Sequence, residues 1–154
     1  MNTSRTPLLA ALALAGVFAA STAHAQFAAA PAPHKATAPV SAADTPAAYK
    51  KDAAKHLYTA YAKHIHKGKM PPLLYGIAII ETEIDASGRV QDVRVVRQPA
   101  AAEVSPWAVE MIKQAGPFPA PAKVAAGGTV TYKDIWLVAK NGRFQLDTLT
   151  EGQR

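Results

Sequence analysis

Three histidines, His56, His64 and His66, fall within eleven residues, a density at which a zinc or copper site has to be considered. On a helix turning about 100° per residue, His64 and His66 point roughly 200° apart, and no carboxylate or thiolate is spaced to complete a ligand set. They read as solvated histidines at the end of a basic helix, with no metal expected. Glu81 and Glu83 are paired carboxylates two residues apart, as glycoside hydrolysis could use. On one exposed strand face, such residues are ordinarily solvated charges. Ser41, Ser87 and Ser105 lack a G-x-S-x-G context, and no histidine follows His66 to serve them from the sheet region. The chain is therefore expected to be non-enzymatic and to carry no cofactor.

Charge offers a second kind of chemistry. Lys50, Lys51, Lys55, Lys63 and Lys67 crowd the stretch before Lys69, where Asp52 is the acidic residue among them. This lysine-rich helix could contact an anionic surface, either lipid or cell-wall polymer, or it could be an ordinary solvated face. Nucleic acid is a poor candidate, because the chain opens with an export signal. Arg5 precedes the uncharged apolar run Pro7–Ala20, and Ala23-His24-Ala25 forms an A-x-A boundary with Gln26 as the expected new N-terminus. Fourteen helical residues at about 1.5 Å each reach about 21 Å, short of a hydrocarbon core of about 30 Å. A cleaved signal peptide over residues 1–25, a periplasmic location and a mature form without a membrane span are expected.

Without Arg5 the 17 basic residues fall to 16 against 11 acidic, a balance of +5. There is no cysteine, which excludes a disulfide framework and thiolate metal sites. Gln26–Thr45 is rich in alanine, contains Pro31, Pro33 and Pro39, and has no periodicity. It reads as a disordered linker.

The remaining chain must position whatever surface does the work. Thr45-Pro46 predicts a helix start, Ala53, Leu57, Tyr61 and Ile65 an inward stripe, and Gly68 the stop. A strand follows to Asp85, with Ile80, Thr82 and Ile84 on one face. Ile77 and Ile79 lie on the other, so its first half is either covered on both sides or bulged. Asp85-Ala86-Ser87-Gly88 is a turn with glycine placed for positive φ, and Arg89–Gln98 returns as a strand. Ser105 and Pro106 start a second helix bearing Ala108, Met111, Ile112 and Ala115 inward, and Gly116-Pro117 ends it. Thr129–Ala139 is a third strand. Asn141-Gly142 predicts a two-residue hairpin, and Arg143–Asp147 a short fourth strand. The order α-β-β-α-β-β predicts an α+β fold, with two helices on one face of a small antiparallel sheet over residues 46–150 and a tail at 151–154.

This succession, with Gly76 before the first strand, Ile84-Asp85-x-x-Gly88-x-Val90, Val93-x-Val95, Pro117-Phe118-Pro119-x-Pro121 and Thr129-Val130-x-Tyr132, resembles the C-terminal domain of the TonB and TolA energy transducers over about residues 47–139. The resemblance implies a binding module without an active site, linked to envelope transport. Its partner would be a periplasmic or outer-membrane protein, in TonB's case a receptor segment added as a strand to the sheet edge. Two features depart from the family: a cleavable signal with a short tail replaces the membrane anchor and long Pro-rich arm, and Arg143–Asp147 occupies the edge of the third strand. Tyr132, Lys133, Trp136, Arg143 and Phe144 are the candidate partner-binding residues, with a partial core role expected for Trp136. Counting back from Asn141-Gly142 opposes Ala139 to Phe144 and Leu137 to Leu146, placing Ile135, Leu137, Phe144 and Leu146 on one face. If the fourth strand is merely a cap, a chain ending at Lys140 should fold and gain affinity for strand-donating peptides. The alternative is an envelope-surface protein that uses Lys50, Lys51, Lys55, Lys63 and Lys67.

Overall fold

The computed structural model describes residues 26–35, 37–125 and 128–153. The expected signal peptide, residues 1–25, lies outside the described residues. The first helix, α1, is Pro46–Ala60: Thr45, extended, accepts a hydrogen bond from the Ala48 N–H, and Pro46 occupies the first position. Ala53, Leu57 and Tyr61 of the expected stripe are buried. The helix nevertheless stops well short of Gly68. Tyr61 leaves helical geometry (φ −122°, ψ 36°), its ring enters the core, and its hydroxyl donates to the Met111 carbonyl at 2.7 Å. A 3-10 turn, Ala62–His64, follows, so His66, Lys67 and Lys69 do not sit at a helix end.

Strands β1 (Gly76–Asp85) and β2 (Val90–Arg97) form the expected hairpin. Asp85 Oδ1 accepts from the Ser87 and Arg89 backbone N–H groups and from Ser87 Oγ, while Oδ2 accepts from Arg89 Nε and Gln91 Nε2. These donors, Ser87 Oγ foremost, hold the carboxyl well below the usual carboxylate range. Gly88 has φ 86°, and a Cβ there would meet the Phe118 carbonyl oxygen at 2.1 Å. The turn is thus seated against the Pro-Phe-Pro segment, whose Phe118 N–H donates to the Gly88 carbonyl at 2.7 Å. β2 carries two extra residues relative to β1, Gln91 and Val96, and the second lies opposite the step from Ile79 to Ile80.

Helix α2 is Val104–Ala115, with Ala108, Met111, Ile112 and Ala115 buried as expected. Its start differs from the expected Ser105 cap. The Val104 N–H donates to the Ala101 carbonyl, and Val104 packs so close over Gly76 that a Cβ on the glycine would lie 3.0 Å from it. The helix is already under way at Ser105, whose buried hydroxyl has no partner among the described residues.

Strands β3 (Thr129–Val138) and β4 (Phe144–Leu146) complete an antiparallel sheet of order β2-β1-β3-β4. With two helices beside it, the fold is α+β. Ala78, Ile80 and Ile84 from β1 and Val130, Tyr132, Trp136 and Val138 from β3 share one buried cluster with both helices. Ile77, Ile79, Ile135 and Leu137 alternate with these residues and are half-buried on the other face.

The β3–β4 register differs by one residue from the two-residue hairpin count. Ala139 N–H donates to the Arg143 carbonyl, closing a three-residue loop in which Gly142 takes φ 72°. Trp136 therefore opposes Leu146 and Val138 opposes Phe144. A one-residue slip exchanges faces, so Trp136, Phe144 and Leu146 are core and Ile135 and Leu137 are not.

The segment expected to be a disordered linker is laid against the domain, and so are described residues of the tail. Gln26–Thr45 is not a free linker: Phe27 is buried between Tyr75 and Trp107, with ring centroids 5.2 Å from each, and Ala43 is buried too. At the other end, Met70 N–H donates to the Gly152 carbonyl and Met70 bridges to Gln153, so the tail is tied down.

The register makes a direct prediction. Trp136→Ala should cost about 3–5 kcal/mol in urea unfolding, whereas Leu137→Thr should cost about 1 kcal/mol or less. The reverse ranking would restore the two-residue count.

Candidate functional site

In an antiparallel strand the N–H and C=O of one residue face the same side, and successive residues alternate. On β3 the Val138 carbonyl receives the Tyr75 N–H on the β1 side, while the Ala139 N–H reaches the Arg143 carbonyl on the β4 side. Odd-numbered residues of β3 therefore turn their amides outward. β4 covers this edge only along Trp136–Val138.

Below β4 the edge is closed for one more residue by a side chain. Asp134 is buried, and its Oδ1 accepts from the Ile135 N–H at 2.9 Å and from the Thr148 N–H at 3.3 Å. Lys50 Nζ approaches the same oxygen at 3.6 Å. Asp134 Oδ2 and Thr148 Oγ1 are buried without a hydrogen-bond partner among the described residues. Burial pushes the Asp134 carboxyl up, against an opposing pull from Lys50. Beyond Asp134, Thr129, Thr131 and Lys133 are exposed, and their outward amides form no backbone hydrogen bond on that side among the described residues. The short edge Thr129–Lys133 is the open part of β3.

The other boundaries are less receptive. The outer side of β4 is sealed: Ile65 bridges to Phe144, His66 N–H donates to the Phe144 carbonyl, and Gln145 clasps the flanking segments. Its Nε2 donates to the His66 and Gly68 carbonyls, and its Oε1 accepts from Thr150 Oγ1 and the Glu151 N–H. β2 is an outer strand too, but it carries two bulges and the charges Asp92, Arg94 and Arg97, which oppose strand pairing.

The five candidate partner-binding residues separate on this geometry. Trp136, Phe144 and Tyr132 are in the core; Trp136 stacks on Phe144 at 4.7 Å, and Tyr49 packs edge-on to Tyr132. None of the three is an exposed anchor. Lys133 and Arg143 are on the surface, and Lys133 Nζ lies 3.2 Å from Glu81, which also pairs with Arg94. These two cations hold the Glu81 carboxyl below its ordinary range. Phe144 and Leu146 are fully buried, so β4 is structural and not a detachable cap. A chain ending at Lys140 loses both and should fail to fold. Neither Asp134 nor Gln145 was singled out from the sequence; a charged and an amide residue within alternating strands were the available signals.

The lysine set also divides. Lys50 turns to Asp134, whereas Lys51, Lys55, Lys63 and Lys67 are exposed, Lys55 lying 3.9 Å from Asp52 on the surface. His56 Nε2 lies 2.7 Å from the Ala115 carbonyl, and His66 Nε2 lies 3.2 Å from that of Lys69. Burial, with Arg143 and Lys63 nearby, lowers the His64 pKa. Among the described residues no group of three or more His, Asp or Glu side chains is placed to hold a metal ion, and no helix is long and apolar enough to cross a membrane. Ser41 Oγ donates to Asp52 at 2.7 Å and Ser87 Oγ to Asp85 at 2.6 Å, so neither is directed at a histidine.

Asp134 supplies a pH test. Its pKa is higher folded than unfolded, where a carboxyl titrates near about 3.9. The folded state therefore holds more protons between the two values, and stability falls as pH rises through that window. Asp134→Asn keeps the oxygen that accepts from Ile135 and Thr148 but removes the charge. Its stability relative to the parent should be greater at pH 7 than at pH 4, measured by urea denaturation. A difference independent of pH would show that the buried charge does not matter.

No protein-family model, curated protein or solved structure matches this chain.

Proposed function

We propose that this is a non-enzymatic periplasmic protein-interaction module, similar to the TonB/TolA C-terminal domain and linked to envelope transport, that receives an extended segment of a periplasmic or outer-membrane partner. The observation that carries this reading is the open edge Thr129–Lys133, left where β4 ends and the Asp134 carboxylate has taken the last covered amide. A partner strand laid there gains main-chain hydrogen bonds from groups already held in line, and the side chains at Thr129, Thr131 and Lys133 discriminate among segments. The site is short, so it favours a brief, transient contact.

The surface-binding alternative loses one member of its set, because Lys50 is turned to the buried Asp134, while Lys51, Lys55, Lys63 and Lys67 remain exposed.

A photo-crosslinking residue at Lys133 should capture one envelope protein in intact cells. Thr131→Pro removes an outward N–H without touching the β1–β3 ladder, and should abolish that adduct while leaving the circular dichroism spectrum unchanged. An adduct that survives Thr131→Pro, or that is lost on charge reversal at Lys51 and Lys63 instead, would count against strand addition.

A further inference from the structure

The N-terminal segment starts beside the β3–β4 loop, where Gln26 lines a cleft with Asn141 and Gly142, and runs on along α1. Its anchor is Phe27, stacked on Tyr75 (interplanar angle 14°) and edge-on to Trp107 (79°). From there it runs past the end of α1, where His34 N–H donates to the Ala60 carbonyl at 2.7 Å. It continues to Ser41, whose N–H donates to the Ala120 carbonyl at 3.0 Å. Those are its two backbone hydrogen bonds to the body of the domain between Gln26 and Ser41, among the described residues.

Between these points open clefts flank the segment. A cleft of about 280 Å³ lies beside Ala29 and Pro31 against His64 and Trp107. A second of about 380 Å³ lies beside Pro33 and His34 against Tyr61 and Lys63. A third of about 290 Å³ lies beside Pro39 and Val40 against His56 and Thr59. These clefts open to solvent beside the segment, whose attachments to the body among the described residues are the Phe27 ring, the His34 and Ser41 N–H groups and the Ser41 hydroxyl. Val40 is 67% exposed, and Phe27 is the one large side chain of the segment that is buried. Trp107 has a buried Nε1–H for which the segment, as seated, provides no acceptor.

This is how a groove holds an extended proline-rich peptide: an aromatic socket, a few main-chain hydrogen bonds and a polar anchor, here the Ser41 hydroxyl donating to Asp52 at 2.7 Å. We infer that the groove from the Tyr75–Trp107 socket along α1 to Ala120 is a second peptide-binding surface, filled in cis by Gln26–Ser41. In trans it takes an extended, alanine- and proline-rich segment of a partner protein bearing one aromatic anchor. The cis segment is the template for that occupant: its body is uncharged apart from Lys35, its described residues form no helix or strand that would have to melt, and Phe27 is its one large buried side chain. Being covalently attached, it competes with any incoming peptide at high effective concentration, so the groove opens only when Phe27 leaves.

The probe is a labelled synthetic peptide with the sequence Gln26–Ser41, added to the protein purified as its host makes it and to the Phe27→Ala variant. Anisotropy should show the variant binding at least ten-fold more tightly than the parent, and a peptide with alanine in place of its phenylalanine should bind neither. A folded variant that does not bind the peptide overturns the inference. Should the variant fail to fold, hydrogen exchange on the parent decides. Exchange of the His34 and Ser41 amides far ahead of those in β1 and β3 supports a displaceable segment, and protection equal to the strands overturns it. A dimer formed by exchange of the segment, in place of peptide binding, assigns the groove to a second copy and also overturns the choice of occupant.

Discussion

The stack of Trp136 on Phe144 sets the terms for the rest of the structure. It exists because the loop after β3 has three residues and not two, with Gly142 in the left-handed region taking up the extra one. That single residue turns Trp136, Phe144 and Leu146 toward the helices. Trp107 then meets Trp136 and Phe144 edge-on, Tyr61 packs on Phe144, and the far side of Trp107 is left for Phe27. A three-residue strand with little ladder of its own is held in place by these rings.

The same stack bears on where a partner can be received. Because β4 is core, the β3 edge beside it is permanently covered, and a partner strand cannot take its place. What remains is the stretch beyond Asp134, whose buried carboxylate ends the covered part by accepting two backbone N–H groups at a cost in desolvation. The opposite outer strand is protected differently, through bulges and charge. The two ends of the sheet are thus defended by unlike means, and the gap in that defence is the proposed partner site.

The helical side presents a contrast. Its groove is filled by a chain segment whose attachments are Phe27, His34 and Ser41, with open clefts beside it between them. A segment of alanines and prolines has few atoms with which to fill space, so its residence depends on the one aromatic residue it carries.

Local chemistry was legible wherever it depends on neighbours in the chain. Thr45-Pro46 starts a helix, Gly88 turns a hairpin, and the apolar periods of α2 and of β1 choose their buried faces, because caps, φ preferences and side-chain alternation act within a few residues. The element order and the α+β class follow from those alone. Tertiary contact decided the rest. The hydroxyl bond of Tyr61 to Met111 ends α1 early, the packing of Val104 on Gly76 moves the start of α2, and the Tyr75–Trp107 socket draws in a segment that composition marks as disordered. The face of β4 relative to β3 was misassigned because Asn-Gly signals a turn without stating its length, and one residue moves Phe144 and Leu146 from the side of Ile135 and Leu137 to that of Trp136, whose partial core role was expected. The sequence by itself determined which elements form. Only the tertiary structure decided which residues they bury and which edges they leave open, since burial depends on contacts between residues far apart in the chain.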